Sequence, residues 1–179
     1  MLSLASKARL ALLASAAFVL PLTATTAASA DSSRALVEYG PYYYVAEAAS
    51  ASSGYKVCLD ANTTSVYTNA CETGNNYQRW KVVKYASGLV SLKNVATGKC
   101  IDRQGDYDLR MNSCNGSNWQ AWTESGTYAR HMYKHAIDVE PQYPEWRCLA
   151  GSQQDVQLFK CEYLYAAWNN VTNLGTGGT

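Results

Sequence analysis

A chain of 179 residues with 15 basic and 14 acidic side chains is nearly neutral, which argues against nucleic acid as a partner, since that calls for a basic patch. Tyr (14) and Trp (5) are abundant and Phe (2) and Met (3) scarce, a composition suited to short strands joined by polar turns. The length is that of one domain.

Lys7 and Arg9 precede an uncharged apolar run at residues 10–20, and Ala28-Ser29-Ala30 closes the segment with small residues. This is the pattern of a secretory signal peptide over residues 1–30, with cleavage before Asp31. Eleven apolar residues ahead of Pro21 are too few to cross a bilayer, which takes about 20. No second run of spanning length follows. The expectation is a secreted protein with no integral membrane segment after cleavage. Losing 30 of 179 residues leaves 149, with 13 basic and 14 acidic side chains.

Residues 31–40 read as a flexible lead. Periodic structure begins at Tyr42-Tyr43-Tyr44-Val45, and residues 50–54 form a turn-rich break. Short strands are expected at 57–59, 66–68 and 79–83, with a turn at Asn75-Asn76. The stretch Cys58-Leu59-Asp60, Cys71, Gln78-Arg79-Trp80 then recurs. Its second copy is Cys100-Ile101-Asp102, Cys114, Gln120-Ala121-Trp122, and its third is Cys148-Leu149-Ala150, Cys161, Ala166-Ala167-Trp168. The separation of the two cysteines is 13, 14 and 13 in the three copies, and the closing tryptophans recur at a near-constant interval. Strands of the second copy are expected at 89–92, 109–111 and 121–123. The third copy opens at 128–136. Pro141 and Pro144 make residues 138–145 a longer surface loop, and residues 173–179 are a Gly/Thr-rich frayed tail.

Three copies at one period make the repeat the structural unit. No segment has a sustained helical period with caps, so little or no α-helix is expected. Twelve short strands in three equal sets suggest a closed all-β body with pseudo-threefold symmetry. Trp80, Trp122 and Trp168 hold the same place in each copy and are assigned to its core. All six cysteines follow the leader, and export implies disulfides. Of the 15 pairings that six cysteines allow, the repeat selects Cys58–Cys71, Cys100–Cys114 and Cys148–Cys161. Each closes a loop worth roughly 3 kcal/mol. No close C-x-x-C pair suggests zinc. His131 and His135 read as solvent-facing residues on one face of a strand, with Tyr133 between them. No metal and no cofactor is expected.

Cys-apolar-Asp, a second cysteine at a fixed distance and a closing Gln-x-Trp, in three copies, resemble the ricin-type β-trefoil lectin domain. The resemblance covers residues 41–172, with repeats at about 41–86, 87–126 and 127–172. It implies a β-trefoil of three pseudo-symmetric four-strand repeats, carbohydrate binding of the galactose type, and one shallow site per repeat. In the family pattern the Asp after the first cysteine grips sugar hydroxyls through charge-assisted bonds. A Gln four residues before the second cysteine and an aromatic plate two before it complete the site, with polar residues near Gln-x-Trp.

No copy is complete. The first keeps Asp60 and Gln78 but has Tyr67 and Asn69 at the Gln and plate positions. The second keeps Asp102 and Gln120 but has Arg110 and Asn112 there. The third keeps Gln157 and Phe159 but has Ala150 for the Asp and Ala166 for the closing Gln. Asp60 and Asp102 therefore admit two roles, ligand contact or turn-holding residue. Gln78 and Gln120 read as amides that tie a turn to the barrel, or as sugar contacts. Phe159 is a plate without its acid, or an ordinary strand residue. Tyr67, Tyr77 and Trp119 are candidate substitute plates.

The resemblance thus points to a secreted lectin-like module whose first two repeats bind glycan weakly. The alternative is a protein-interaction trefoil, a toxin-type targeting subunit or an inhibitor, whose partner is another secreted protein. No Gly-x-Ser-x-Gly motif, phosphate loop or spare cysteine is present, and the repeats use up the chain, so no enzyme is expected.

Overall fold

Alternation of apolar and polar residues between turns produces four strands from each repeat. In a computed structural model, residues 35–105, 108–127, 130–136, 146–152, 155–162 and 166–174 are described. The leader at 1–30, the loop at 138–145 and the last five residues of the tail lie outside them. The first repeat forms β1 (Ala35–Ala46), β2 (Val57–Ala61), β3 (Val66–Ala70) and β4 (Arg79–Tyr85). The second forms β5 (Val90–Asn94), β6 (Lys99–Gln104), β7 (Asp108–Ser113) and β8 (Trp122–Thr127). The third forms β9 (Arg130–His135), β10 (Trp146–Gly151), β11 (Val156–Lys160) and β12 (Trp168–Val171).

The first and last strands of each repeat pair in the antiparallel ring β1–β4–β5–β8–β9–β12, which closes on β1. Closure leaves this barrel without an edge strand. The middle strands form the hairpins β2–β3, β6–β7 and β10–β11, which join the ring through β1, β5 and β9. This is a β-trefoil. Trp80, Trp122 and Trp168 have no exposed surface and share one core with Tyr44, Leu59, Leu92, Ile101, Tyr133, Leu149 and Leu158. The indole N–H of Trp80 donates to Leu59 O at 3.0 Å, and that of Trp168 donates to Leu149 O at 2.8 Å. Trp122 breaks the pattern, its buried N–H having no hydrogen-bond partner among the described residues. Each repeat holds its own disulfide, Cys58–Cys71, Cys100–Cys114 and Cys148–Cys161.

Three expectations need correction. The lead at 31–40 is a strand from Ala35 onward, because its backbone pairs with β4 from Ala35↔Tyr85 to Tyr43↔Arg79. Within that pairing the register shifts between Tyr39 and Tyr42, where Gly40 (φ 103°) and Pro41 intervene. A Cβ on Gly40 would lie 2.9 Å from Trp80 O, so glycine is required there. The break at 50–54 is largely helix: α1 (Glu47–Ser53) is alanine-rich and ends at Gly54, whose left-handed backbone directs its N–H to Ser50 O at 3.3 Å. Seven residues make only two turns, too few to show a period. The tail does not fray at residue 173, since Leu174 is buried against Tyr43, Val45 and Cys58 and its carbonyl accepts from Lys56 Nζ.

The histidines also face inward rather than into solvent. His135 is 1% exposed and sets its ring edge-on to Trp122, centroids 5.1 Å apart. Nδ1 of His131 lies 3.0 Å from Glu124 Oε1. Glu124 also accepts from Tyr39 Oη at 2.8 Å and Tyr133 Oη at 2.9 Å, and the Tyr133 and Tyr44 hydroxyls are 3.0 Å apart. Burial is the main cause that pushes the Tyr39, Tyr44 and Tyr133 phenols above their usual value. A raised folded-state value gives stability that is fully present below the unfolded phenol value of about 10 and lost as pH rises above it. We expect three of the 14 tyrosines to ionise only on unfolding. Phenolate absorbance during alkaline titration checks this; all tyrosines titrating together in folded protein would contradict it.

Candidate functional site

Strand β2 carries Asp60 beside the first disulfide, and a short 3-10 turn, Asn76–Gln78, carries Gln78 toward it. Both side chains are buried, at 3% and 1% exposure. Gln78 Nε2 donates to Asp60 Oδ2 at 3.0 Å and to Ala70 O at 2.9 Å, while its Oε1 accepts from Glu72 N at 2.7 Å. One amide thus clamps the end of β3 and the following loop to the carboxylate. Asp60 Oδ1 accepts from Ala61 N at 2.7 Å.

The second repeat reproduces this unit. Gln120 Nε2 donates to Asp102 Oδ2 and to Ser113 O, each at 2.9 Å, and its Oε1 accepts from Asn115 N at 3.0 Å. The two acids and two amides are therefore paired groups. In the third repeat both partners are alanine. Ala150 and Ala166 are buried with Cys148, and Phe159 and Cys161 pack against them. Losing both partners together leaves neither a buried carboxylate nor a buried amide without its mate, whereas losing one would.

Above the first pair lies a pocket of about 330 Å³ lined by Asp60, Ala61, Asn62, Thr63, Tyr67, Asn69, Asn75 and Tyr77. Tyr67, which pairs across the hairpin with Asp60, and Tyr77, 48% exposed, bring aromatic surface to the carboxylate. Burial, and then the Asp60 charge, raise the Tyr67 phenol above its usual value, so its hydroxyl is kept as a donor. Asn75 accepts from Tyr77 N at 3.0 Å and fixes the loop that carries the ring. A carboxylate, a retained hydroxyl, several amides and two rings can together meet a ligand that has both hydroxyls and an apolar face.

The second repeat is arranged differently. Arg110 stands opposite Asp102, and Asn112 Nδ2 reaches Asp102 Oδ2 at 3.5 Å. Trp119 is 43% exposed, in the place that Tyr77 holds in the first repeat. In the third, Gln157 and Phe159 line a smaller pocket with Ala150, Gly151 and Ser152. Sequence reasoning missed Asn62, Thr63 and Asn75 in the first repeat and Ser152 in the third. Their signal was faint, since each reads as an ordinary polar turn residue.

The family model of the ricin-type β-trefoil lectin domain matches residues 42–122, the first repeat and most of the second. Over those residues the chain is similar to the ricin-type β-trefoil lectin domain. Lectin domains of this type bind carbohydrate and are generally non-catalytic. The chain is similar in fold to a designed 3-fold symmetric protein, ThreeFoil, with 19% identity over 74% of this chain and 99% of that one and a TM-score of 0.54. It is also similar in fold to a mosquitocidal holotoxin, with 13% identity and a TM-score of 0.60, covering 77% of this chain and 18% of that one. No curated protein matches. The family match stops before the third repeat, the copy that has alanine at both the acid and the amide positions. Among the described residues, no helix is long and apolar enough to cross a membrane.

Proposed function

We propose that the chain is a secreted carbohydrate-binding module whose main glycan site is the first-repeat pocket, with a galactose-type sugar as ligand. The observation that carries the reading is the shared pocket of Asp60, Tyr67 and Tyr77. The carboxylate accepts from two sugar hydroxyls, and Tyr77 covers the ring's apolar face. Among the described residues each Asp60 oxygen has one donor, which leaves lone pairs for a ligand. The second repeat contributes a weaker site at Asp102 with Trp119 as its plate. Export rests on the leader-like residues 1–30.

Titration calorimetry after a glycan array tests this. Tyr77 is exposed, so Tyr77→Ala keeps the fold while removing the plate. The expected result is at least a tenfold loss of affinity for the best array ligand, or about 1.4 kcal/mol. Undiminished binding by Tyr77→Ala, or an array with no ligand, would refute the reading. A second reading, a toxin-type targeting subunit, takes its support from the likeness to part of a mosquitocidal holotoxin. Capture of a protein partner by a chain that is silent on the array would favour it.

A further inference from the structure

The three repeats differ at the residue that follows the second cysteine. Glu72 stands there in the first and Glu162 in the third, but the second has Asn115, with Gly116 after it. The pair lies in the loop between β7 and the 3-10 turn Asn118–Gln120, and Asn115 is exposed. It is the one Asn-Gly dipeptide in the chain.

Asn115 Oδ1 accepts from Ser117 N at 2.9 Å. This bond curls the side chain back over its own C-terminal peptide and turns the amide carbon Cγ toward Gly116 N. A donor on Oδ1 also stabilises the negative charge that an attack on Cγ would place there. Gly116 holds a left-handed backbone, φ 64°, and brings no Cβ to shield its nitrogen. Among the described residues its N–H makes no hydrogen bond that would hold it back. A nucleophile, a polarised carbonyl and an open approach thus meet in one exposed loop.

We propose that Asn115 is a site of spontaneous deamidation, a modification that takes up water and loosens the acid–amide unit of the second repeat alone. Loss of its proton to hydroxide makes Gly116 N a nucleophile. It attacks Cγ, a C–N bond forms, and the Cγ–Nδ2 bond breaks with release of ammonia. Water then opens the five-membered imide at either carbonyl. Opening at Cγ gives aspartate; opening at the main-chain carbonyl gives isoaspartate, whose chain runs on through the former side chain. No oxidant, reductant or cofactor takes part.

The aspartate product sets an acid where the other repeats already carry one. The isoaspartate product has a larger effect. Asn115 N donates to Gln120 Oε1 at 3.0 Å, and that bond closes the short loop that seats the Gln120 amide on Asp102. An extra main-chain carbon between residues 115 and 116 lengthens the loop and loosens the clamp. In the first repeat Glu72 N makes the same bond to Gln78 Oε1, and no amide side chain at residue 72 opens this route. Asn62 and Asn75 are internal controls. Each accepts from the N–H two residues on, Thr64 at 2.8 Å and Tyr77 at 3.0 Å, but Thr63 and Asn76 follow them and shield the nitrogen with a side chain.

The test is incubation of the disulfide-intact protein in warm, mildly alkaline buffer, with site-resolved mass spectrometry of its peptides over time. Conversion at Asn115 should run at least about tenfold faster than at Asn62 or Asn75, rise with pH, and give both aspartate and isoaspartate. Asn115→Gln, whose longer side chain disfavours the five-membered ring, should keep its amide. In the aged wild-type protein the Gln120 side-chain amide resonances should move while those of Gln78 stay, and in aged Asn115→Gln both should stay. Equal rates at the three asparagines, or aspartate without isoaspartate, overturn the proposal. Conversion that leaves the Gln120 resonances in place overturns the link to the clamp. The inference stands apart from the carbohydrate-binding reading, since none of these measurements depends on a sugar.

Discussion

Asp60→Ala should destabilise the domain by about 2–3 kcal/mol, and Gln78→Ala by about 3 kcal/mol or more, yet the double variant should cost well under their sum. The first change removes a charge-assisted bond and strands one N–H of a fully buried amide. The second leaves a buried carboxylate short of a donor, and it also takes away the amide that bonds Ala70 O and Glu72 N. Once Gln78 is gone, the buried Asp60 carboxylate is a liability, so removing it as well adds less than its single cost. The third repeat is the natural example, with Ala150 and Ala166 packed together where the pair would stand. Urea unfolding of the four proteins with disulfides intact gives the coupling energy directly. A value above about 1 kcal/mol is expected; additivity within about 0.5 kcal/mol would mean that the two side chains act independently. The same cycle at Asp102 and Gln120 should behave alike, since its acid–amide contact is nearly the same length, 2.9 Å against 3.0 Å.

That pairing shows where the sequence was readable and where it was not. Cysteines and tryptophans recur at one period because every copy must close the same loop and fill the same core, so barrel, hairpins and disulfides follow from spacing. The acids and amides recur for a reason that spacing hides. Taken singly, Asp60 reads as ligand or turn and Gln78 as clamp or contact; bonded to each other, they make one unit. The joint loss at Ala150 and Ala166 was visible in the chain, but it becomes a coupled change only when the atoms are seen to touch. Features set by distant partners were equally hidden. Ala35 to Tyr39 become strand through β4, which lies far along the chain, and Leu174 is held by β1 and β2. His135 looks polar in sequence and is buried against Trp122, a contact made across the β8–β9 pairing. The first-repeat pocket lay between these extremes. Tyr67 and Tyr77 were visible as spare aromatics, but only the hairpin register puts them on the Asp60 carboxylate.

Glu124→Ala should cost about 2–4 kcal/mol, although Glu124 belongs to no ligand site. Its carboxylate receives Tyr39 from β1 and Tyr133 and His131 from β9, while Glu124 itself stands on β8. These strands come from the first, third and second repeats, so the cluster joins all three. A carboxylate only accepts, which commits the single Tyr133 proton to Glu124; the bond to Tyr44 then runs from Tyr44 to Tyr133. Tyr39 and His131 are partly exposed, and water can replace their partner. Tyr133 and Tyr44 have no exposed surface, so without Glu124 the two hydroxyls can satisfy only one of their two protons between them. Glu124→Gln keeps an acceptor oxygen but sets an N–H₂ against donors, and should fall between wild type and Ala. Adding Tyr133→Phe to Glu124→Ala should recover none of the loss, because it leaves the buried Tyr44 hydroxyl without its partner. Unfolding in urea ranks the four proteins. A change below about 0.5 kcal/mol for Glu124→Ala, the size typical of an uninvolved surface residue, would show that the core tryptophans hold the repeats together without this cluster. The expected ranking would instead make Glu124 a residue through which three similar but unequal repeats fold as one barrel, since it is the acceptor that each of the other two repeats reaches.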